Sequence, residues 1–367
     1  MVMKFLTRRC RVRPRGASRV DILVALACMV VACAVAVPVV GRTGRDSGEM
    51  RSLANLRTLA AAHEAYAQSF AGRQWTAIPD DAGIVNGNCY NYLTVVACPP
   101  QLLLGQGPNG AWWGLFLEGI GYCAPFGYQG SCANWTLYQP MTFIGSAIGS
   151  GSYRLPNATS FNSFVDGRFY SDSFFSPNDR NAYEISATYR DRGIAFESIA
   201  GEFAFSSYCL SPAAMYHPEV FAAANGGYRS PNSFAEGFAS PSVAQCTYPD
   251  LKTRMIEYHW TLGAPSYRAP SPAKDRDSWI FNTSALASPN AIFFDGRVGR
   301  IANADAMADD AARQATEGIG LWSRTTPFGS SGFRGEANAI PSPEGITTSH
   351  TILTLDGILG RDLLSVR

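Results

Sequence analysis

Nineteen consecutive residues without a charge, Ile22 to Val40, follow directly on Asp21, and nothing else in the chain constrains it so strongly. A helix of about 20 apolar residues is long enough to cross a bilayer. Ahead of the run lies a basic leader with Lys4, Arg8, Arg9, Arg11, Arg13 and Arg15 and no acid. An acid at the head of an apolar span is costly in lipid, so Asp21 calls for a partner or a function.

Three kinds of N-terminus compete for this pattern. Ala34-Val35-Ala36 is a small-x-small site of the kind a signal peptidase cuts after an apolar core, which fits an ordinary signal or a single anchor. Val30-Val31-Ala32-Cys33 fits a lipoprotein signal with Cys33 as the lipidated residue, although more apolar residues follow Cys33. Neither reading gives Asp21 a role. The third reading starts from Gly16-Ala17-Ser18-Arg19-Val20-Asp21 between leader and run. It resembles a type IV prepilin N-terminus, the class-III signal cut after a Gly by prepilin peptidase. Counted from Ala17, Asp21 is fifth and Pro38 twenty-second, positions where that family has an acid and often a Pro. The family usually has Phe first and Glu fifth; here Ala17 and Asp21 stand there. The resemblance implies cleavage between Gly16 and Ala17 and assembly through the N-terminal helix. It also implies that Asp21 neutralises the freed, methylated amine of a neighbouring Ala17.

Beyond the run, roughly 320 residues remain, enough for one large domain or two modest ones. Charged residues are 16% and aromatics 12% of the chain, and Gly (35) and Pro (22) are plentiful, which reads as a turn-rich, β-rich exterior domain. Without its six leader bases the chain carries 24 basic and 29 acidic residues, so no basic stripe invites nucleic acid. Of nine cysteines, Cys10, Cys28 and Cys33 lie in the leader and run, the latter two reading as small apolar residues. The other six, Cys89, Cys98, Cys123, Cys132, Cys209 and Cys246, are even in number and fit an oxidising compartment. Short loops favour Cys89–Cys98 and Cys123–Cys132, leaving Cys209–Cys246, among fifteen possible connectivities. There is no CxxC pair and there are only four His, so no metal site and no cofactor are expected.

Residues 47 to 70 read as an amphipathic helix. Leu53, Leu56, Ala60, His63, Ala67 and Phe70 recur at three- and four-residue steps. The segments then divide into a leader (1–16), a membrane or filament-core helix (17–40), an amphipathic helix (41–72) and a head (73–367). Within the head, 86–170 is rich in Gly, Asn, Tyr, Trp and Cys and reads as a loop-rich, disulfide-stapled insertion. Trp112, Trp113 and Trp135 there offer either a sugar-stacking surface or aromatic filling. Residues 185–210 read as strands, and 216–246 as a surface excursion.

Two segments carry hairpin signals between about 285 and 360. One is Ala291-Ile292-Phe293-Phe294, Asp295-Gly296, then Arg297 to Ile301; the other is Thr351 to Leu355, Asp356-Gly357, then Ile358-Leu359. The first resembles a terminal signature of large prepilin-like proteins, a His, nine residues, then Asp-Gly, with an Asn five residues before the Asp. Asn290, Asp295 and Gly296 match, and Ala285 stands at the His position. Asp295 and Asp356 read as turn formers rather than calcium ligands, since no dense acidic loop surrounds them.

No nucleophile elbow, phosphate loop or His-Glu-x-x-His occurs. Glu257 and His259, two apart, would share one side of a strand and form an acid–base pair, but no nucleophile accompanies them. The expectation is therefore an α+β, non-enzymatic, pilin-like subunit: one long N-terminal helix packed on an antiparallel sheet. The resemblance implies an inner-membrane, single-pass precursor with its head in the periplasm or on the cell surface. Its partners would be prepilin peptidase, copies of itself or other pilin-like subunits, and an inner-membrane assembly platform. The alternatives are a membrane-anchored binding or adhesin module and an anchored hydrolase.

Overall fold

In the computed structural model the described residues are 26, 29, 47–78, 80–85, 102–106, 112–115, 139–143, 149, 151–193, 204–257, 261–262, 279–280, 287–330, 332 and 349–366. The chain divides between Ser47 and Gly48, and the larger unit runs from Gly48 onward. Its elements in order are helix α1 (47–69), β1 (Leu102–Gln106), β2 (Trp112–Leu115), α2 (Arg180–Arg190), β3 (Tyr208–Leu210), β4 (Thr253–Glu257), β5 (Thr261–Leu262), β6 (Trp279–Ile280), β7 (Asn290–Phe293), β8 (Val298–Arg300) and α3 (Asn303–Glu317). This is a mixed helix-and-sheet fold of α+β type.

The organising element is a four-stranded antiparallel sheet in the order β3-β4-β7-β8. Cys209 faces Ile256 across the first pair, Ile256 faces Ala291 across the second, and Ala291 faces Gly299 across the third. All five residues of β4 and all four of β7 are buried. Successive side chains point to opposite faces, so a strand buried at every position is covered on both sides. At the sheet edge, β8 is half-buried to exposed. The expected hairpin over 291–301 is this β7–β8 pair. Gly296 turns it with φ of +83°, and Asp295 Oδ1 accepts from the Arg297 N–H at 2.9 Å.

Helix α1 meets the periodicity that predicts it. Leu56, Leu59, Ala60, Ala62, His63 and Ala67 are buried, whereas Phe70 at the end of the stripe is 47% exposed. The buried face joins one continuous core with the sheet and with aromatic residues that the sequence assigns to insertions. Tyr153, Phe161, Phe169 and Tyr170 are fully or almost fully buried, so 151–170 is core rather than a separate loop-rich subdomain. Among residues 86–150 the hairpin β1–β2 is described, with Leu102 facing Leu115.

Three further expectations are corrected. Where strands are expected over 185–210, residues up to Arg190 belong to helix α2, which Asp179 caps by accepting the Ala182 N–H at 3.3 Å; among the described residues of that stretch, strand is found at Tyr208–Leu210. Residues 216–246 are not a surface excursion. They run as short 3-10 turns, two of them begun by Pro, in a segment that buries Tyr216, Val220, Phe221 and Phe238. The Asp356-Gly357 segment is not a hairpin. Ile352, Leu353 and Ile358 are buried at 0%, too inward on both sides for a two-stranded edge ribbon, and only Thr354 bridges, to Trp322. Asp356 and Gly357 take left-handed φ of 63° and 60°, and Asp356 Oδ1 accepts from the Ala223 N–H at 2.8 Å.

Helix α3 carries no signal in the hairpin reading. An Ala-rich stretch with Asp305 in its first turn and Gly318 in left-handed conformation just past its end is a well-bounded helix. Its buried Asp309 accepts from the Leu364 N–H at 2.8 Å and its Asp310 from the Leu321 N–H at 2.7 Å. The helix thereby fixes both the turn after it and the C-terminal tail.

Candidate functional site

The processing and assembly residues Gly16, Ala17, Asp21 and Pro38 lie outside the described residues. Of the apolar run, Leu26 and Met29 are described; both are helical and exposed. Among the described residues no helix is long and apolar enough to cross a membrane. Cys89, Cys98, Cys123 and Cys132 also lie outside, as do Trp135 and His259. Cys209 and Cys246 are described, and the expected bond between them is not there: both are free thiols. Cys209 sits inside the main core on β3, whereas Cys246 packs on a separate small cluster of Ala214, Phe294 and Ile358. Burial pushes the two thiols up, to about 12 and about 11.

What the fold does bring together is the seat of α1. Ser52 Oγ donates to Glu257 Oε1 at 2.5 Å and lies 2.9 Å from the Tyr208 hydroxyl. Ser176 Oγ donates to the same carboxylate oxygen at 3.2 Å, and the Asn290 N–H to the other at 2.9 Å. Asn55 Nδ2 reaches the Asp172 and Phe175 carbonyls at 3.0 and 3.1 Å. A buried carboxylate needs its lone pairs satisfied. Here the donors come from α1, from the 176 turn and from β7, so one side chain at the end of β4 ties three elements together. Glu257, at 3% exposure, is thus a structural anchor and not the solvent-facing half of an acid–base pair.

Eleven residues further along α1 a second tie forms. Arg254, on the same strand, donates from Nε to Gln74 Oε1 at 2.9 Å, from one terminal nitrogen to Glu64 Oε1 at 2.6 Å, and from the other to the His63 carbonyl at 3.3 Å. The His63 ring lies 4.4 Å from that of Phe161, fully buried, with neither nitrogen hydrogen-bonded among the described residues. Burial, and then the Arg254 charge, hold its pKa well below the ordinary histidine value. His63 is therefore a neutral packing group. Beside Glu257, Asp179 is buried too, and burial raises its carboxyl to about 6.

A different polar cluster lies where the C-terminal tail meets β4. Lys252 and Asp362, both at 0% side-chain exposure, are 3.1 Å apart from Nζ to Oδ2. Nζ also donates to Ser211 Oγ and to Thr354 Oγ1, each at 2.9 Å. Asp362 accepts from the Thr253 N–H at 2.8 Å, the Thr351 N–H at 3.0 Å and the Thr354 hydroxyl at 2.5 Å. Burial alone would raise this carboxyl, but the Lys252 ammonium and these donors hold it below the usual range. His350, fully buried beside the pair, is lowered to about 4, by burial first. No sequence motif marks this cluster: Lys252 stands just before β4, whose own Arg254 and Glu257 are also charged, so its charge does not single it out.

Among the described residues a cleft of about 320 Å³ lies between the 223–227 turn, the end of α3 and the chain at 320–325. Its lining is mostly backbone and small side chains, with Gln314, Trp322 and Arg324. Arg324 is engaged by Asp310 and lies 5.0 Å above the Trp322 ring. Among the described residues no three His, Cys, Asp or Glu side chains gather as a metal ion requires. No protein-family model, curated protein or solved structure matches the chain.

Proposed function

We propose that this chain is a structural subunit of a type IV pilus-like filament or type II secretion pseudopilus. The observation that carries the reading is the order Gly16, Ala17, Asp21, then nineteen uncharged residues with Pro38 among them. The seat of α1 supports it, since a helix tied to a sheet through Ser52 and Glu64, and to the 172–175 turn through Asn55, is what a subunit held by its N-terminal helix requires. In this reading 17–40 and α1 belong to one long helix. The precursor sits in the inner membrane, prepilin peptidase removes the leader, and an inner-membrane platform assembles the mature chain with its own copies or other pilin-like subunits. Asp21 pairs with the methylated amine of a neighbouring Ala17, because a lone charge in an apolar filament core is expensive, and that pairing sets axial register.

Mass spectrometry of the mature N-terminus tests the first step. A chain beginning at Ala17 is expected; one beginning at a lipidated Cys33 or at Val37 rejects the proposal. Asp21→Ala tests the second. The variant is expected to insert and be cleaved yet to be missing from sheared filaments, with Asp21→Glu assembling normally. Normal assembly of Asp21→Ala would favour the other reading, an anchored binding module, for which the cleft beside Trp322 is the supporting observation.

A further inference from the structure

The Lys252–Asp362 pair has a geometry that an ordinary buried ion pair does not need. Both side chains are sealed from solvent, and one hydroxyl touches both reacting groups. Thr354 Oγ1 accepts a hydrogen bond from Nζ at 2.9 Å and donates one to Asp362 Oδ1 at 2.5 Å. The three atoms form a closed relay, Nζ–H to Oγ1–H to Oδ1. The other carboxylate oxygen, Oδ2, faces the Thr253 N–H at 2.8 Å, a fixed donor where negative charge would develop. Ser211 Oγ takes a further hydrogen of Nζ and itself donates to the Thr351 carbonyl, so the amine is held in place.

We propose that Lys252 and Asp362 condense to an intrachain amide, a covalent clamp between β4 and the C-terminal tail. One proton moves from Nζ through the Thr354 hydroxyl to Oδ1, which turns the ammonium–carboxylate pair into an amine and a carboxylic acid. The amine lone pair attacks Cγ, the Nζ–Cγ bond forms, and Oδ2 takes the negative charge beside the Thr253 N–H. A second proton follows the same relay, the Cγ–Oδ1 bond breaks, and Oδ1 leaves as water. Atoms and charge balance with one water released, and no oxidant, metal or other reactant is needed. The enclosure drives the step. Two charges removed from water are costly to keep, a neutral amide is far less so, and a sealed site gives the amide no water for its own hydrolysis. Positioning supplies the rate, since amine and carboxyl are held at contact by hydrogen bonds to three separate segments, at 211, 253 and 351–354.

Digestion of the full-length chain followed by peptide mass spectrometry decides the matter. The expected product is one branched peptide containing both Lys252 and Asp362, lighter by one water than its two parts together. Recovery of the two peptides separately, from protein that shows a cooperative unfolding transition, overturns the proposal. Lys252→Arg keeps the charge but cannot form the amide, and must give separate peptides; a branched product in that variant would also overturn it. Thr354→Val removes the relay while preserving shape. Followed over time after synthesis, it should form the branched peptide about a hundredfold more slowly, the scale of lost acid–base assistance. Formation at the wild-type rate would remove Thr354 from the chemistry and with it the mechanism proposed.

Discussion

Glu257 and Asp362 are both carboxylates buried against β4, yet they are held in opposite ways. Glu257 accepts from neutral donors, among them two serine hydroxyls and a backbone N–H. Asp362 faces an ammonium as well as hydroxyl and backbone donors. The first arrangement divides the charge among several hydrogen bonds, each replaceable. The second adds an ammonium to three such donors, and loss of that ammonium leaves a buried carboxylate without its counter-charge. The seat of α1 is thereby adjustable, while the C-terminal junction is all-or-none.

The strongest way to break this comparison is Lys252→Met, which keeps the apolar stem and removes the charge. It should destabilise by about 3–5 kcal/mol, the usual result of orphaning a buried ion. Urea unfolding measures it, and a loss below about 1 kcal/mol would mean that the hydroxyls alone suffice for Asp362.

The pH dependence follows from the two regions with opposite signs. Asp179, near Glu257, has a folded-state pKa of about 6 against 3.8 unfolded. Its contribution is fully present below about pH 3.8 and lost as pH rises through 6. His350, near Asp362, is at about 4 against 6.5 unfolded. Its contribution is present above pH 6.5 and lost as pH falls through 4. Each is worth about 3 kcal/mol at one unit per 1.4 kcal/mol, so between pH 4 and 6.5 they largely offset. Asp179→Asn should therefore be more stable than wild type at pH 8 and should lose stability more steeply on acidification. Parallel pH profiles for the two proteins would contradict that assignment.

A smaller effect is expected at the adjustable site. Ser52→Ala removes one of the donors to Glu257 and should cost about 1–2 kcal/mol, with Asn55 still holding α1. A loss as large as that of Lys252→Met would erase the distinction between the regions. The smallest concerns the thiols. Cys246→Ala should change stability by less than about 1 kcal/mol, against about 2–4 kcal/mol if it closed a disulfide with Cys209.

Local pattern explains what was readable. The three-to-four spacing from Leu53 to Ala67 gave α1, and apolar-Asp-Gly-apolar gave β7–β8, because both are settled by contacts a few residues apart. The same Asp-Gly signal failed at 356–357, where the flanking apolar residues are taken into the core instead of pairing with each other. Residues 185–210 alternate enough to pass for strand, but the cap at Asp179 and packing of Tyr189 on Tyr170 made the first of them part of helix α2. The pairing of Cys209 with Cys246 failed because evenness in number carries no information about which core a side chain enters.

By itself, then, the sequence determined the charge-free run behind Asp21, the amphipathic face of α1 and the turn at Gly296, all properties of neighbouring residues. Only the tertiary structure decided that Ser52 meets Glu257 across 205 positions, and that Lys252 meets Asp362 across 110. Such partners leave no periodic trace in a chain. A buried charge specifies that a counterpart must exist, and only the packing of the elements between them selects which one.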